Sequence, residues 1–367
     1  MNLDSKPSFY KRYIRIPLRI LLSLVLICGL TFFGILLYLT VVEFNPEASE
    51  PIAVTGNSSR TLKTGDSIKI LSWNVGYGGL GAEADFFMDG GHDVTTYNKD
   101  GVEDNIFGIS DIVSDLQPDI AVYQEVDLDS ARSYHFNEVE ELTKVFSNSQ
   151  SSFANNFLVD FVPYPLPPIG KVSSGILTDS QFEISDSTRL SLPCPFGWPL
   201  RVGNLKRCLL VSRIPLANSD KELVIVNLHL EAYDSGEGKI AQTKQLLQVL
   251  QDEYKKGNYV IAAGDFNQTF SNVDLSNYPV YEGKWEAGKI ETSDFGNDFT
   301  LAMDDNAPSC RSLDQVYAGA DISTFQFYVI DGFICSKNVS ISSVETKDYD
   351  FQYSDHNPVV LEATLLP

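Results

Sequence analysis

Short apolar runs rich in Val, Ile, Phe and Tyr recur from residue 68 to the C-terminal end and are separated by turn residues. Runs of this length and composition are typical of β-strands. We predict strands at 68–75, 119–126, 173–178, 207–214, 222–230, 259–266 and 325–335, with one more after the segment YSDHNPVV. Helical periodicity is clearest over 103–116, which ends before Pro118, and over 237–254, which precedes Gly257. Many strands with few helices predict an α+β sandwich whose helices cover packed sheets.

The N-terminal part of the chain has a different pattern. Residues 20–42 form an uncharged apolar run that is long enough to cross a bilayer as a helix. Charged residues flank the run, namely Lys6, Lys11, Arg12, Arg15 and Arg19 before it and Glu43 and Glu47 after it. The positive-inside rule then places the N-terminus in the cytoplasm and everything after residue 43 outside the cell membrane. A cleaved signal peptide is the alternative, but this run is long for one and no A-x-A-like cleavage site follows it.

These patterns divide the chain into four parts. They are a basic cytoplasmic tail at 1–19, a single-pass transmembrane anchor at 20–42, a linker at 43–67 and one globular domain at 68–367. The linker assignment follows from many Pro, Ser, Gly and Thr residues without a sustained period. Cys194 and Cys208 are close enough in sequence for a disulfide between the LPCPFGWPL loop and the next strand, and an oxidising compartment would permit it.

Composition and charge limit the partners of this domain. With 43% hydrophobic residues, the 367-residue chain can bury a large core, and its formal net charge is −22. An acidic surface repels polyanions, so stable binding of DNA or RNA is disfavoured. The charge does not exclude a nuclease, because a bound metal can invert the local field.

Polar residues of a narrow set stand at or near the ends of the predicted strands. They are carboxylates, amides and imidazoles: Asn74, Glu125, His229, Asp265, Asn267 and Asp331, with Asp355 and His356 just before the last strand. Side chains alternate along a strand, so Asp265 and Asn267 point to the same side. Surface turns would also draw Lys, Ser and Thr, so solubility alone does not explain this set. Because sandwich folds bring strand ends together, we expect these groups to converge on one cleft.

The set suits metal-assisted hydrolysis of a phosphate ester. Hard oxygen ligands such as Glu125 and Asp355 suit Mg²⁺, with Mn²⁺ or Ca²⁺ as alternatives, and the set offers no thiolate. Such a cation polarises a phosphoryl oxygen and neutralises developing charge. Asp265 can orient or deprotonate an attacking water, while Asn74 and Asn267 can donate hydrogen bonds to the charged transition state.

Histidines and a few other groups complete the candidate site. His356, if held by Asp331, would be an imidazolium that stabilises charge at phosphorus, and His229 could be a second acid or charge-stabilising group. Arg207 is one of the scarce basic residues here and either binds a phosphate or forms a salt bridge. His92 lies in GYGGLGAEADFFMDGGHD (76–93), which is either a mobile loop or a lip over the cleft.

Six segments of the chain also carry a resemblance to a known family. ILSWNVG, PDIAVYQEV, VNLHLEA, AAGDFNQ, FYVIDGFIC and YSDHNPV occur in this order. Together they resemble the endonuclease/exonuclease/phosphatase superfamily, which includes deoxyribonuclease I, abasic-site endonucleases, neutral sphingomyelinases and inositol-phosphate 5-phosphatases. The resemblance spans residues 68–365 and implies a four-layer α/β/β/α sandwich of two mostly antiparallel sheets. Within the superfamily, the chain resembles membrane-anchored bacterial members.

The resemblance implies one metal-binding group and one catalytic group. The metal-binding group is Glu125 as the principal ligand, with Asn74 and Asp355. The catalytic group is Asp265 and Asn267 for the nucleophile and the transition state, Asp331 to orient His356, and His229 as a general acid or phosphate contact.

These inferences give a leading hypothesis and two alternatives. The leading hypothesis is a membrane-anchored, Mg²⁺-dependent phosphoesterase that acts on a phospholipid or a small phosphoester and needs no obligate protein partner. The alternatives are an extracellular DNA nuclease and a non-catalytic binding module on the same fold. The proline-rich apolar loops FVPYPLPPIGK and LPCPFGWPLRVGNLKR either cover the surface or touch lipid.

Overall fold

The strands of the chain form two large sheets and two small strand pairs. The computed structural model describes residues 9–217 and 219–367. Its strands are β1 Ser49–Pro51, β2 Val54–Gly56, β3 Ser67–Asn74, β4 Ile120–Asp127, β5 Gln150–Val162, β6 Gly170–Ser180, β7 Asp186–Ser191, β8 Cys208–Pro215, β9 Glu222–His229, β10 Tyr259–Asp265, β11 Gln268–Phe270, β12 Gly288–Ile290, β13 Phe299–Ala302, β14 Cys310–Arg311, β15 Phe327–Tyr328, β16 Asp331–Ser336, β17 Val339–Thr346 and β18 Val359–Leu365. Its α-helices are α1 Phe9–Val41, α2 Lys99–Leu116, α3 Glu138–Leu142 and α4 Glu237–Lys255. Short 3-10 helices lie at Gly76–Gly78, Phe87–Asp89, Ala131–Ser133, Leu200–Gly203, Thr292–Phe295 and Ile322–Thr324.

Each large sheet has seven strands. The first has the order β1-β7-β8-β9-β10-β16-β13, and the second has the order β17-β18-β3-β4-β6-β5-β2. Within these sheets β9 and β10 are parallel, as are β3 and β4, and the other neighbouring pairs are antiparallel. The prediction of mostly antiparallel sheets is confirmed.

The two sheets pack face to face around the main core. Its fully buried members include Ile70, Val122, Ile261 and Leu361. On the outer face of the first sheet, the apolar side of α4 packs against alternate residues of β9 and β10. On the outer face of the second sheet, α2 packs in the same way against β3 and β4. The predicted α+β sandwich, with a helix layer on each side of two sheets, is therefore confirmed.

One predicted strand is divided in two. The segment 325–335 forms β15 and β16, separated by Val329 and Ile330, so Asp331 begins a strand rather than ending one. Because β16 runs antiparallel to β10, the beginning of β16 lies at the same edge as the end of β10. Asp331 thus lies at the predicted edge of the sheet, but at the start of its strand, whereas Asp265 lies at the end of β10.

The interpretation of residues 43–67 as a free linker is wrong for much of that segment. Strand β1 pairs with β7 at an edge of the first sheet, and β2 pairs with β5 at an edge of the second. Leu62 is fully buried in the core between the sheets. The Pro, Ser and Gly content concealed these strands, because edge strands tolerate such residues.

Helix α1 contains the predicted membrane anchor. It begins at Phe9, before the predicted start at residue 20, and its segment Tyr13–Val41 is long and apolar enough to cross a membrane. The first eight residues of the predicted basic tail lie outside the described part of the chain. The last turns of α1 contact the domain, and Leu39 is buried against β5 and β6.

The predicted disulfide between Cys194 and Cys208 is not formed. Within the described residues, Cys28, Cys194, Cys208, Cys310 and Cys335 all carry free thiols. The Cys194 sulfur lies 3.8 Å from the carbonyl oxygen of Leu205, whereas the Cys208 sulfur lies 3.9 Å from that of Asn155. The two thiols therefore face different segments, a geometry that sequence separation does not reveal.

Candidate active site

Three neighbouring strands of the first sheet place three polar residues in one row. The register pairs Asp265 with His229 on β9 and with Asp331 on β16. Residues in register on adjacent strands point to the same face. Gly264 precedes Asp265 with a φ of 152°, and a Cβ there would lie 2.0 Å from the carbonyl oxygen of Leu228. Glycine is thus required for the close approach of β9 and β10 just before the row.

The second sheet contributes Asn74 and Glu125 from two parallel strands. Asn74 is the last residue of β3 and is buried. Glu125 has a φ of 54°, and the register of β4 against β6 shifts between Tyr123 and Val126. Such a bulge re-aims a side chain. The Asn74 side-chain amide donates to Glu125 Oε1 at 3.3 Å and to Asp265 Oδ2 at 3.1 Å, so it joins the two sheets.

His356 is held from three sides. Its Nδ1 lies 2.8 Å from Asp331 Oδ2, and that oxygen also accepts a hydrogen bond from Ser309 Oγ at 2.7 Å. Its carbonyl oxygen accepts from Trp73 Nε1 at 2.8 Å. Burial alone would lower the pKa of His356, but the carboxylate of Asp331 and other nearby groups raise this pKa well above its ordinary value. His356 is therefore an imidazolium at neutral pH, with Nε2 directed to the cleft.

Asp265 lies at the centre of the site. Its Oδ1 accepts from the backbone N–H of Asn267 at 2.8 Å, and its Oδ2 lies 3.8 Å from His356 Nε2. Burial, and next the neighbouring carboxylate of Asp331, raise the pKa of Asp265 to about 7. A carboxylate with a pKa near the working pH is suited to accept a proton. Asn267 has a φ of 51°, and its amide donates to the Leu230 carbonyl oxygen at 2.9 Å.

His229 and Arg207 form a second group beside Asp265. His229 Nε2 lies 3.5 Å from Asp265 Oδ2 and 3.9 Å from Glu125 Oε1. Burial, and next the positive charge of Arg207, lower the pKa of His229 well below its ordinary value. Arg207 is buried, forms a 3.3 Å ion pair with Glu231 and donates to the His229 carbonyl oxygen at 3.1 Å. Arg207 thus takes the salt-bridge alternative, while its role in substrate binding stays a prediction.

The candidate metal site is characterised by the chemistry of its donor atoms. Carboxylate oxygens dominate, and within residues 9–217 and 219–367 no lysine or arginine forms an ion pair with Glu125, Asp265 or Asp355. Burial, and among further causes the charge of Glu125, raise the pKa of Asp355 to about 6. Clustered acids without a lysine or arginine partner fit a hard divalent cation.

Two triads have potential ligand atoms within 4.8 Å of one another. They are Asp265, Asp331 and His356, and Cys310, Asp355 and His356. Within them His356 is a poor ligand because it is protonated, and Cys310 is poor because burial raises its pKa to about 12. Asp355 of the second triad and Glu125, which lies outside both triads, offer further carboxylate oxygens. Asn74 contacts Glu125 through its amide nitrogen, and its amide oxygen accepts from the Gly76 N–H at 3.1 Å.

One cavity of about 710 Å³ is lined by Glu125, His229, Asp265, Asn267, Asp355 and His356, whereas Asn74 and Asp331 are not among its lining residues. The segment 76–93 supplies part of its wall through Tyr77, Leu80 and Phe86 to Asp89, so this segment forms the lip alternative. The His92 side chain is 91% exposed, pairs with Asp85 and does not line this cavity, and its substrate contact stays a prediction. Asp89 does line it and accepts from Tyr233 OH at 3.3 Å.

Several residues of the site carry no clear signal in the sequence. Ser309 reaches it from the irregular segment before β14, and Cys310, the first residue of β14, forms an isolated β-bridge with His356. Ser354 donates to the Asn74 carbonyl oxygen at 2.7 Å. Only Ser354, inside YSDHNPV, lies in a motif that could have indicated it.

The fold and this arrangement define a class of protein that sequence comparison identifies. The model of the endonuclease/exonuclease/phosphatase family matches residues 71–356, and the chain belongs to this family. A search of the curated proteins finds no match.

Solved structures share the fold at low sequence identity. The endonuclease/exonuclease/phosphatase from Beutenbergia cavernae has a TM-score of 0.56 and 16% identity, over 82% of this chain and 72% of that one. The corresponding protein from Bacteroides vulgatus has a TM-score of 0.53 and 14% identity, over 82% of this chain and 99% of that one. TDP2 from D. rerio, solved with a single-strand DNA product, has a TM-score of 0.50 and 16% identity, over 82% of this chain and 99% of that one.

Proposed function

We propose that this chain is a membrane-anchored phosphoesterase that depends on a divalent cation, with Mg²⁺ favoured, and hydrolyses a phospholipid or small phosphoester. The observation that carries the proposal is the buried Asp331–His356 pair at 2.8 Å, with His356 Nε2 and Asp265 Oδ2 3.8 Å apart. This arrangement combines a charged donor and a proton acceptor at one point. Hydrolysis of a phosphate ester needs both.

Each group of the chain has a role in this proposal. Asp265 orients the attacking water and takes its proton at Oδ2. His356 donates from Nε2 to an oxygen on phosphorus and stabilises its negative charge, while Asp331 holds the ring through Nδ1. The neutral His229 is close enough to Asp265 to help fix its carboxylate.

The oxygen ligands have a separate role. Glu125 and Asp355 would hold the divalent cation, with Asn74 beside them. When bound, that cation supplies Lewis-acid polarisation of the phosphoryl oxygen and neutralises charge.

The membrane part of the proposal rests on α1. Its apolar length suits a bilayer, and the basic residues before it favour a cytoplasmic N-terminus with the domain on the outer side of the cell membrane. Protease treatment of intact cells tests this orientation. We expect the domain to be digested, and protection of the domain in intact cells would contradict the orientation.

The activity is tested with the full chain in detergent and Mg²⁺, using bis-p-nitrophenyl phosphate, plasmid DNA, sphingomyelin and phosphoinositides. We expect hydrolysis of at least one phosphoester, loss of that activity with EDTA, and recovery when Mg²⁺ is added back. His356→Ala should lower kcat by about a thousandfold, the typical effect of removing a group that acts in the transition state. Activity on DNA alone would favour the nuclease alternative, and no hydrolysis with no cation binding would favour the binding-module alternative.

A further inference from the structure

The cavity that contains the catalytic groups is also lined by the membrane helix. Phe32, Leu36 and Leu39 of α1 line the same cavity of about 710 Å³ as Asp265 and His356. A cavity of this size is within the range of ligand sites. A transmembrane anchor that served only as a tether would have no reason to form part of the substrate cavity.

The position of α1 against the domain is fixed by several contacts. Leu39 is 4% exposed and packs with Phe157 and Val172. Tyr38 OH donates to Asp160 Oδ2 at 2.7 Å, and Trp198 Nε1 donates to Thr40 Oγ1 at 3.1 Å. The end of α1 is thus a structural part of the domain, so the cavity has a defined position relative to the membrane.

The lining of the cavity is mostly apolar. It includes Val162, Ile169, Phe196, Leu205 and Phe87. Such a surface excludes water and offers a hydrocarbon chain the contacts that it has in a bilayer. A small, fully polar phosphoester would leave this wall without a partner.

The cations along the cavity do not suit a polynucleotide. Of the described residues that line it, the lysines and arginines are Arg132, Arg207, Lys284 and Arg311. The first three form ion pairs with acidic side chains, and Arg311 donates to main-chain carbonyl oxygens, with the Gly81 oxygen at 2.8 Å. Binding of a nucleic-acid backbone relies on cations that can reach its phosphates.

An apolar collar lies on the loop that follows β5 and on the loop that precedes β8, and α1 contacts β5 and the second of these loops. We define it as Tyr164, Leu166, Trp198 and Leu200, which are 56–88% exposed. Exposed apolar and aromatic side chains next to a membrane helix are typical of a surface that contacts the bilayer interface. The collar belongs to the two proline-rich loops, so it favours their lipid-contact alternative.

From these observations we infer that the substrate is a phosphoester lipid whose hydrocarbon chain lies against α1 while its phosphate reaches Asp265 and His356. This inference rests on the proposed phosphoesterase activity and names its substrate class. The collar seats the cavity on the bilayer, so that the lipid enters from the membrane rather than from solution. Leu36 and Leu39 are the residues that determine specificity for the hydrocarbon chain of the lipid.

The first test uses the unmodified full chain and needs no variant. Phosphodiester lipids with the same head group and acyl chains of increasing length are compared with soluble bis-p-nitrophenyl phosphate, all in the same detergent with Mg²⁺. We expect kcat/KM to rise by at least about tenfold from the shortest to the longest chain, since apolar burial contributes with each methylene. Equal kcat/KM along the series would overturn the inference and leave the phosphoesterase proposal standing.

The second test uses neighbouring positions of α1. Leu36 is half-buried and lines the cavity, whereas Leu37 is 54% exposed and does not line it. Leu36→Trp should lower kcat/KM for the long-chain lipid by about tenfold, the cost of overpacking one apolar contact. It should lower kcat/KM for the soluble diester by less than for the long-chain lipid, and Leu37→Trp should change neither value.

Three results would count against the inference. Equal effects of the two tryptophan variants on lipid hydrolysis would show that the cavity face of α1 does not contact the chain. Faster hydrolysis of oligonucleotides than of any lipid would show a different substrate class. No hydrolysis of any phosphoester, the soluble diester included, would refute the proposed function and this inference with it.

Discussion

Asp331→Asn tests how the buried carboxylate of Asp331 acts on His356. The substitution keeps the size of the side chain and removes a charge located 2.8 Å from His356 Nδ1. Two unit charges at that distance attract by about 6 kcal/mol at an effective dielectric constant of about 20. Asp265 and Asp355 remain 3.8 and 3.9 Å from Nε2 and retain part of this stabilisation. A net loss of about 3 kcal/mol corresponds to a fall in kcat of about a hundredfold.

The assay is hydrolysis of bis-p-nitrophenyl phosphate by the full chain, with Asp179→Asn as the control. Asp179 is a buried aspartate that does not line the cavity, so the same chemical change there should leave kcat unaltered. A variant with both Asp331→Asn and His356→Ala should be no slower than His356→Ala alone. Asp331 acts through His356, so its substitution should have no further effect once the imidazole is gone. If Asp331→Asn retained a rate within about threefold of the original, the reasoning about His356 would be refuted.

Three further predictions concern the fold. Burial raises the pKa of Asp179 to about 7, so its contribution to stability is present at low pH and lost as pH rises toward 7. Asp179→Asn should therefore be more stable than the original by a few kcal/mol at pH 8 and nearly equal at pH 4, measured by urea unfolding; lower stability at pH 8 would contradict this. Phe333 is fully buried between the sheets. Phe333→Ala should therefore lower the free energy of unfolding by about 3–5 kcal/mol in the same measurement. A decrease below about 1 kcal/mol would show a loosely packed core. Alkylation of the denatured, unreduced chain should label Cys194 and Cys208 fully, as free thiols require, whereas a protected pair in the mass spectrum would restore the disulfide.

The sequence predicted the parts of the site that lie on strong strands. Asp265 follows a continuous apolar run, and Asn74 and Glu125 follow two others, so their common edge could be expected from strand geometry alone. The sequence did not predict that Asp331 begins its strand. That outcome depends on the break after β15 and on the antiparallel pairing of β16, which are long-range properties.

Other parts of the structure could not be read from local patterns. Strand β5 contains serines and asparagines, and its burial comes from pairing with β6 along its length. Arg207 could not be assigned between a phosphate and a salt bridge until Glu231 was placed beside it. The contact between α1 and the cavity could not be predicted from the local sequence either. Hydrophobicity identified the helix but did not indicate which of its faces would meet the domain.

The central claim is that Glu125 brings a divalent cation to this cleft, and Glu125→Gln tests it most directly. Mg²⁺ binding by calorimetry and hydrolysis of a soluble phosphodiester are measured on the same protein, with Glu183→Gln at an exposed site as the control. We expect Mg²⁺ affinity to fall by at least about tenfold and activity to fall with it, with partial recovery at high Mg²⁺, because Asp355 remains. The thermal stability of the metal-free variant should be equal or slightly higher, since one of the clustered acids is gone. Unchanged Mg²⁺ affinity together with full activity would contradict the claim.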